Sequence, residues 1–151
     1  MERTPHYDSY VQILKEELVP AMGCTEPISI ALAAAKAREA LGVMPERCRV
    51  EVSGNIIKNV KSVVVPNTGG LKGLEAAAAV GITAGRADMG LEVLSHVTAE
   101  EAVQVKAFME QCRFTILPNR GGKIFYIRVD LTGGGHTASC EITDFHTNLT
   151  L

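Results

Sequence analysis

Excess charge of either sign is missing from this 151-residue sequence: 15 Lys and Arg face 17 Asp and Glu, a formal net charge of −2. So even a balance offers no basic field to a phosphate backbone, which argues against nucleic acid as a partner. Long apolar runs are missing as well. None approaches the ~18 residues that a membrane-spanning helix needs, so no membrane partner is expected. The opening Met1-Glu2-Arg3-Thr4-Pro5-His6 lacks the apolar stretch of a signal peptide. The expected compartment is therefore the cytoplasm, where four scattered cysteines stay reduced. No Cys-x-x-Cys or Cys-x-x-His spacing occurs, which excludes a closed zinc site or a complete iron–sulfur ligand set. Neither a phosphate-binding loop nor a Gly-x-Gly-x-x-Gly fingerprint is present, so a nucleotide site is not supported. Repeats and low-complexity linkers are absent too, and the chain reads as one unit.

What is there is an ordinary globular composition, 46% apolar and 21% charged. A chain of this length can bury roughly two-thirds of its unfolded surface without disulfide or metal staples. Tyr7, Val11, Leu14 and Leu18 recur at helical spacing and predict a first amphipathic helix ending before Pro20. Thr25 or Glu26 caps a second helix with Pro27 at its first position, and Gly42 ends it. Its run Ile28-Ser29-Ile30-Ala31-Leu32-Ala33-Ala34-Ala35 has almost no polar face, so this helix should be central and buried.

Cys48, Val50 and Val52 alternate with Arg47, Arg49 and Glu51, the period-two signature of a strand. Val63-Val64-Val65 and the Pro66-Asn67-Thr68-Gly69-Gly70 turn predict a strand leading into an Ala-rich helix from Leu71 to Ile82. Gly73 and Gly81 in that helix point to tight packing. Thr98 and Glu101 form a capping box, with Ala102, Val103, Val105, Phe108 and Met109 expected on the inward side of a helix ending near Cys112. Period two returns at Phe114 and Ile116, at Phe125 to Leu131, and at Ala138, Cys140 and Ile142. These predict three strands joined by Gly-rich turns and paired antiparallel. The class is α+β, with Ala-rich helices packed on a mainly antiparallel sheet.

Cys24 lies in a Gly-Cys-Thr-Glu-Pro turn at the entrance to the second helix, where the helix dipole favours a thiolate. It is the candidate nucleophile or metal ligand; the competing role is that of a small buried hydrophobe. Cys48 and Cys140 lie in phase with apolar strand faces and read as core residues. Asn55, Lys58 and Asn59 offer two amides and an ammonium to a small carboxylate, or else belong to a solvated loop whose asparagines satisfy their own turns. Gly69-Gly70 before a helix could present N–H groups to an anion. His136, after three glycines, is a candidate acid, base or donor, or equally a surface turn histidine.

The run from Val19 to Ala35 around Gly23-Cys24-Thr25-Glu26-Pro27 closely resembles the beginning of the L-cysteine desulfidase family, also called serine dehydratase alpha-like proteins. The resemblance continues in order through Val52-Ser53-Gly54-Asn55-Ile56-Ile57-Lys58-Asn59, Val65-Pro66-Asn67-Thr68-Gly69, Gly90-Leu91-Glu92-Val93-Leu94 and Gly134-Gly135-His136-Thr137. It implies a [4Fe–4S] lyase that eliminates the β-substituent of L-cysteine or L-serine, giving pyruvate, ammonia and sulfide or water. Cys24 matches the family's N-terminal cluster cysteine. Asn55, Lys58, Asn59, Thr68 and Gly69 fall in motifs assigned to substrate binding or site support, and His136 is a site residue. On this resemblance residues 1–151 are a single N-terminal domain or fragment of a longer lyase whose C-terminal cluster-binding region is absent. Alone, the fragment is expected to hold no cluster and to be inactive. The implied partners are the amino-acid substrate, the remainder of the polypeptide and a possible second copy of the chain. The alternative is a small amino-acid-binding or regulatory domain with no catalysis of its own.

Overall fold

The computed structural model describes residues 8–14, 25–60, 65, 70–86, 88, 93–119 and 126–143; at 8–14, Thr25, Glu26, Asn55 and Asn59 only the backbone is described. The described elements are β1 (Asp8–Leu14), α1 (Thr25–Leu41), β2 (Arg47–Ser53), α2 (Gly54–Val60), α3 (Gly73–Ala84), α4 (Ala99–Gln111), β3 (Arg113–Asn119), β4 (Tyr126–Gly133) and β5 (His136–Thr143). The class is α+β, as the patterning predicts.

The centre of the molecule is α1. Ile30 to Ala35 are each at most 3% exposed, because a helix lined with alanine can be approached closely on every side. One side lies on β4 and β5 and another on α3. A Cβ placed on Gly81 of α3 would stand 2.2 Å from the Ala31 carbonyl oxygen, so only a hydrogen fits there. Gly73 has a different reason to be glycine, since it opens α3 at a φ of +94°. α4 carries the predicted capping box: the Glu101 N–H donates to Thr98 Oγ1 at 3.1 Å, and the Thr98 N–H donates to Glu101 Oε1 at 3.0 Å. Its Phe108 ring meets Phe114 of β3 edge-on, with centroids 6.0 Å apart.

The sheet order is β1-β5-β4-β2-β3. The three inner strands pair antiparallel, and β4 and β5 form a hairpin through Gly134 and Gly135, at φ +61° and +81°. Positive φ at both turn residues matches the twist of the flanking strands. The outer pairs, β1 with β5 and β2 with β3, are parallel. Four strands therefore run one way and β4 alone runs against them. Cys48, Val50, Val52, Ile127, Val129, Leu131, Ala138, Cys140 and Ile142 form the buried face under α1, each at most 1% exposed.

The opposite face is polar and carries no described helix. Across it, Glu51, Arg128 and Glu141 stand in one row, and Arg49, Asp130 and Ser139 in the next. Asp130 accepts from Arg49 at 3.1 Å, from Arg128 at 3.0 Å and from the Ser139 hydroxyl. Asn119 donates to Glu51 at 2.6 Å.

Several expectations change. Asp8–Leu14 is a strand rather than part of a helix, because the free edge of β5 supplies a backbone partner for every residue of the segment, from Asp8 opposite Thr137 to Leu14 opposite Thr143. Ser53-Gly54-Asn55 leads into a helix, α2, whose Ile56 and Val60 are buried, rather than into a solvated loop. β3 does not turn back onto β4. Pro118 lies inside β3, opposite Val52, on an edge strand where a missing donor is tolerated. Val65 is buried outside any strand and donates its N–H to the Leu71 carbonyl at 2.8 Å; Val63 and Val64 lie outside the described residues. Val103 is 68% exposed, because α4 buries only the stripe of Val105 and Phe108.

Candidate functional site

The direction of the strands sorts the candidate residues into two groups. At one end of the sheet β1, β2, β3 and β5 finish and β4 begins. α2 starts there directly from Ser53. α1 starts there too. Its far end is fixed at the opposite edge, where Arg38 donates to Met44 Sδ at 3.3 Å and the Met44 carbonyl abuts Gly133. Its 17 residues, about 25 Å long, then run back beneath β4 and β5. The carboxyl ends of the strands thus meet the starts of two helices, a place where α/β sheets commonly hold ligands.

Lys58 is exposed on α2 at this end. Asn55 and Asn59 share that helix, and their side chains lie outside what is described. Cys24, Thr68 and Gly69 lie outside the described residues; Cys24 directly precedes α1 in sequence. His136 is elsewhere. It begins β5, opposite Gly133 beside the hairpin turn. Seven residue-to-residue steps along β5, about 23 Å, take it to Thr143 at the end where α1 and α2 begin. The structure brings the α1 start and α2 together and leaves His136 apart from them.

Sequence reasoning passed over three side chains at the α1 and α2 end. Tyr126 is 6% exposed, and its backbone N–H donates to Ser53 Oγ at 3.2 Å. Burial raises its phenol, and a hydrogen bond to the Glu141 carboxylate with the charges of Glu141 and Glu51 raises it further, so it is a protonated donor at neutral pH. Thr143, opposite Tyr126 on the polar face, is 3% exposed, and Ser29 in α1 is fully buried. Neither hydroxyl has a hydrogen-bond partner among the described residues. The available signal for Ser29 was a lone hydroxyl in an Ala, Ile and Leu run.

The described thiols do not fit an iron–sulfur cluster. Cys48, Cys112 and Cys140 are at most 7% exposed. Burial pushes all three up, Cys112 to about 11 and Cys140 to about 12, and keeps them protonated where a cluster needs thiolates. Cys48 and Cys140 are further divided by β4. This agrees with their assignment to the core. Among the described residues no group of three His, Cys, Asp or Glu is placed to hold a metal ion, and no helix is long and apolar enough to cross a membrane.

No protein-family model matches the chain, and no solved structure matches it. Curated relatives do. A UPF0597 protein of Desulfitobacterium hafniense is 51% identical over 150 residues, covering 99% of this chain and 35% of the relative. One from Treponema denticola is 46% identical over 152 residues, covering 100% of this chain and 35% of the relative. One from Finegoldia magna is 49% identical over 142 residues, covering 93% and 34%. Over nearly all of its residues, then, the chain is similar to about a third of the length of longer UPF0597 proteins.

Proposed function

We propose that this chain is the substrate-binding portion of a β-eliminating lyase that converts L-cysteine, or L-serine, to pyruvate, ammonia and sulfide, or water. The observation that carries the proposal is the meeting of the α1 start, α2 and the carboxyl ends of four strands at one end of the sheet. Two of the ordered motifs that resemble the desulfidase family, the one around Cys24 and the one from Val52 to Asn59, run into these two helices. Lys58 brings a cation to the carboxylate of an amino acid. Asn55, Asn59, Thr68 and Gly69 complete the substrate side of the proposal by the same motifs. His136, about 23 Å away along β5, takes no part in this version of the site.

The proposal includes a [4Fe–4S] cluster held through Cys24 and thiolates from polypeptide beyond this chain, where an iron with an open position would act as Lewis acid on the β-sulfur or β-oxygen. Within the chain itself the tasks are binding and orientation. In this proposal the carboxylate is held by the Lys58 cation and the Asn55 and Asn59 amides.

The test is anaerobic reconstitution of the intact protein with iron and sulfide, followed by assay of pyruvate and sulfide from L-cysteine. Turnover is expected, with Cys24→Ala abolishing it and Lys58→Ala raising KM more than it lowers kcat. Normal turnover by Cys24→Ala would remove the thiol from the reaction. Absence of pyruvate from both amino acids in the reconstituted wild type would end the proposal.

A further inference from the structure

α1 lies on β4 and β5 from one side of the sheet, and no described helix covers the other side. At the centre of that open face, β2 and β4 present four charges in two neighbouring rows. Arg49 stands opposite Asp130, and Glu51 stands opposite Arg128. The sign therefore alternates both along each strand and across the pair, as on a checkerboard. Within the chain Asp130 is held by Arg49 at 3.1 Å and by Arg128 at 3.0 Å, and Arg49 lies 3.5 Å from Glu51. The two arginines still reach outward: their side chains are 49% and 34% exposed, against 22% for Glu51 and 15% for Asp130.

A partner carrying charge of one sign would be repelled at half of these positions. A second copy of the same face need not be. Turned about a two-fold axis that lies across the strands between the two rows, the copy keeps each strand over itself and exchanges the rows. Arg49 then faces the partner's Glu51, Asp130 faces the partner's Arg128, and symmetry makes each pair twice. The rows beyond set Arg47, Thr132 and Thr137 of one copy over the row of Ser53, Tyr126 and Thr143, so no like charges meet there. An axis along the strands fails, because it sets Arg128 against the partner's Arg128. β4 is the middle strand of five, so the four charges lie on the axis or one strand from it. There the rotation of about 30° between stacked sheets displaces side chains least. Stacked sheets lie about 10 Å apart, a gap that an arginine and a carboxylate reaching from opposite sides can close.

We propose that this polar face is a two-fold interface with a second copy of the chain, aligned by Arg49 on the partner's Glu51 and by Asp130 on the partner's Arg128. Five strands of about seven residues give a footprint of about 500 Å² on each copy, at the lower bound for a specific interface. Half-exposed ion pairs each contribute little, so the dimer is weak, reversible and sensitive to salt.

The test is sedimentation velocity on the intact protein, from low to high micromolar concentration and in low and high salt, with melting curves to check folding. Wild type should dimerise and lose the dimer as salt rises. Arg49→Glu and Glu51→Arg each set like charges together at two places and should weaken the dimer roughly tenfold or more. The double exchange, Arg49→Glu with Glu51→Arg, restores opposite signs and should dimerise again. An equimolar mixture of the two single variants should form a mixed dimer, because each copy then supplies the charge the other lacks at both pairs.

A wild type that stays monomeric throughout overturns the proposal; single exchanges that then lower the melting temperature would assign the face to the remainder of the polypeptide. A dimer that both single exchanges leave unchanged places the interface elsewhere and overturns it as well. So does a mixture no more dimeric than its components. Where a reversal folds poorly, Arg49→Gln and Glu51→Gln replace it, and each should weaken the dimer roughly threefold and flatten its salt dependence. Dimerisation equal to wild type by both of these overturns the interface.

Discussion

Replacing Gly81 by alanine adds one methyl group where α3 crosses α1. The new Cβ would meet the Ala31 carbonyl oxygen at 2.2 Å and the Ala31 Cα and carbonyl carbon at 2.8 Å. Ordinary contact begins near 3.4 Å, so the two helices must part by about 1 Å, and backbone atoms cannot swing aside as a side chain would. Both helices are buried along this stretch, with Ala31, Ala77, Ala78 and Val80 each at 0% exposure, so the movement opens gaps on either side. Overpacking of this kind destabilises by about 1–3 kcal/mol, and the rigid neighbour places this site at the upper end. Higher helix propensity returns about 1 kcal/mol. The net loss is about 2 kcal/mol, a fall in Tm of roughly 4–8 °C for a chain of this size. Circular dichroism melting of Gly81→Ala beside Gly54→Ala measures it. Gly54 also lies in a helix but has nothing within 4 Å of its would-be Cβ, so its variant should be neutral or slightly stabilised. A Gly81 variant as stable as the Gly54 variant would refute the close approach of α1 and α3.

Thr98→Ala removes the hydroxyl that receives the Glu101 N–H and should cost about 1 kcal/mol, read as a lower urea midpoint with unchanged m; an unchanged midpoint would count against the cap. Asp130→Ala strips the acceptor shared by Arg49, Arg128 and Ser139, whereas Arg49→Ala removes a 49%-exposed partner. The first should lose about 1–2 kcal/mol and the second under about 0.5 kcal/mol, and equal losses would contradict a network centred on Asp130. Burial lifts the Cys140 thiol from the ordinary value of 9.0 to about 12, with the Lys36 charge opposing and the Glu141 charge adding to the rise. The unfolded thiol ionises first, so this group leaves stability unchanged below about pH 9 and lowers it progressively between about pH 9 and 12. Cys140→Ser should flatten the decline measured by alkaline denaturant titrations.

Elements whose own residues settle their form are legible in the amino-acid sequence. α1 is announced by Pro27, an alanine run and Gly42, α4 by Thr98 and Glu101, and the β4–β5 hairpin by alternation around Gly134-Gly135. Segments settled by distant partners are not. Tyr7, Val11, Leu14 and Leu18 carry a helical period, yet Asp8–Leu14 is a strand because the β5 edge offers it a parallel pairing partner along its whole length. Pro118 and the glycines after it resemble a hairpin turn, but the parallel partner of β3 is β2, more than sixty residues earlier. The candidate site is legible as a set of residue types. Its geometry is not, because the end of the sheet that each residue occupies depends on strand direction. That is why Lys58 and His136 can be grouped from sequence and are separated in space.

The pairing of Asp8 with Thr137 joins residues 129 positions apart, 137 − 8. During synthesis β1 emerges before its template β5, with the helices and β2 to β4 between them in sequence, so the pair cannot form until those described elements have been made. Such a distant pairing closes the largest loop and is expected late in folding. Until it closes, β5 presents an unpaired row of amides and carbonyls to any other chain nearby. The N-terminal strand thus acts as a cover for the assembly-prone flank of the sheet, and its amides should be the first in the sheet to exchange with solvent deuterium.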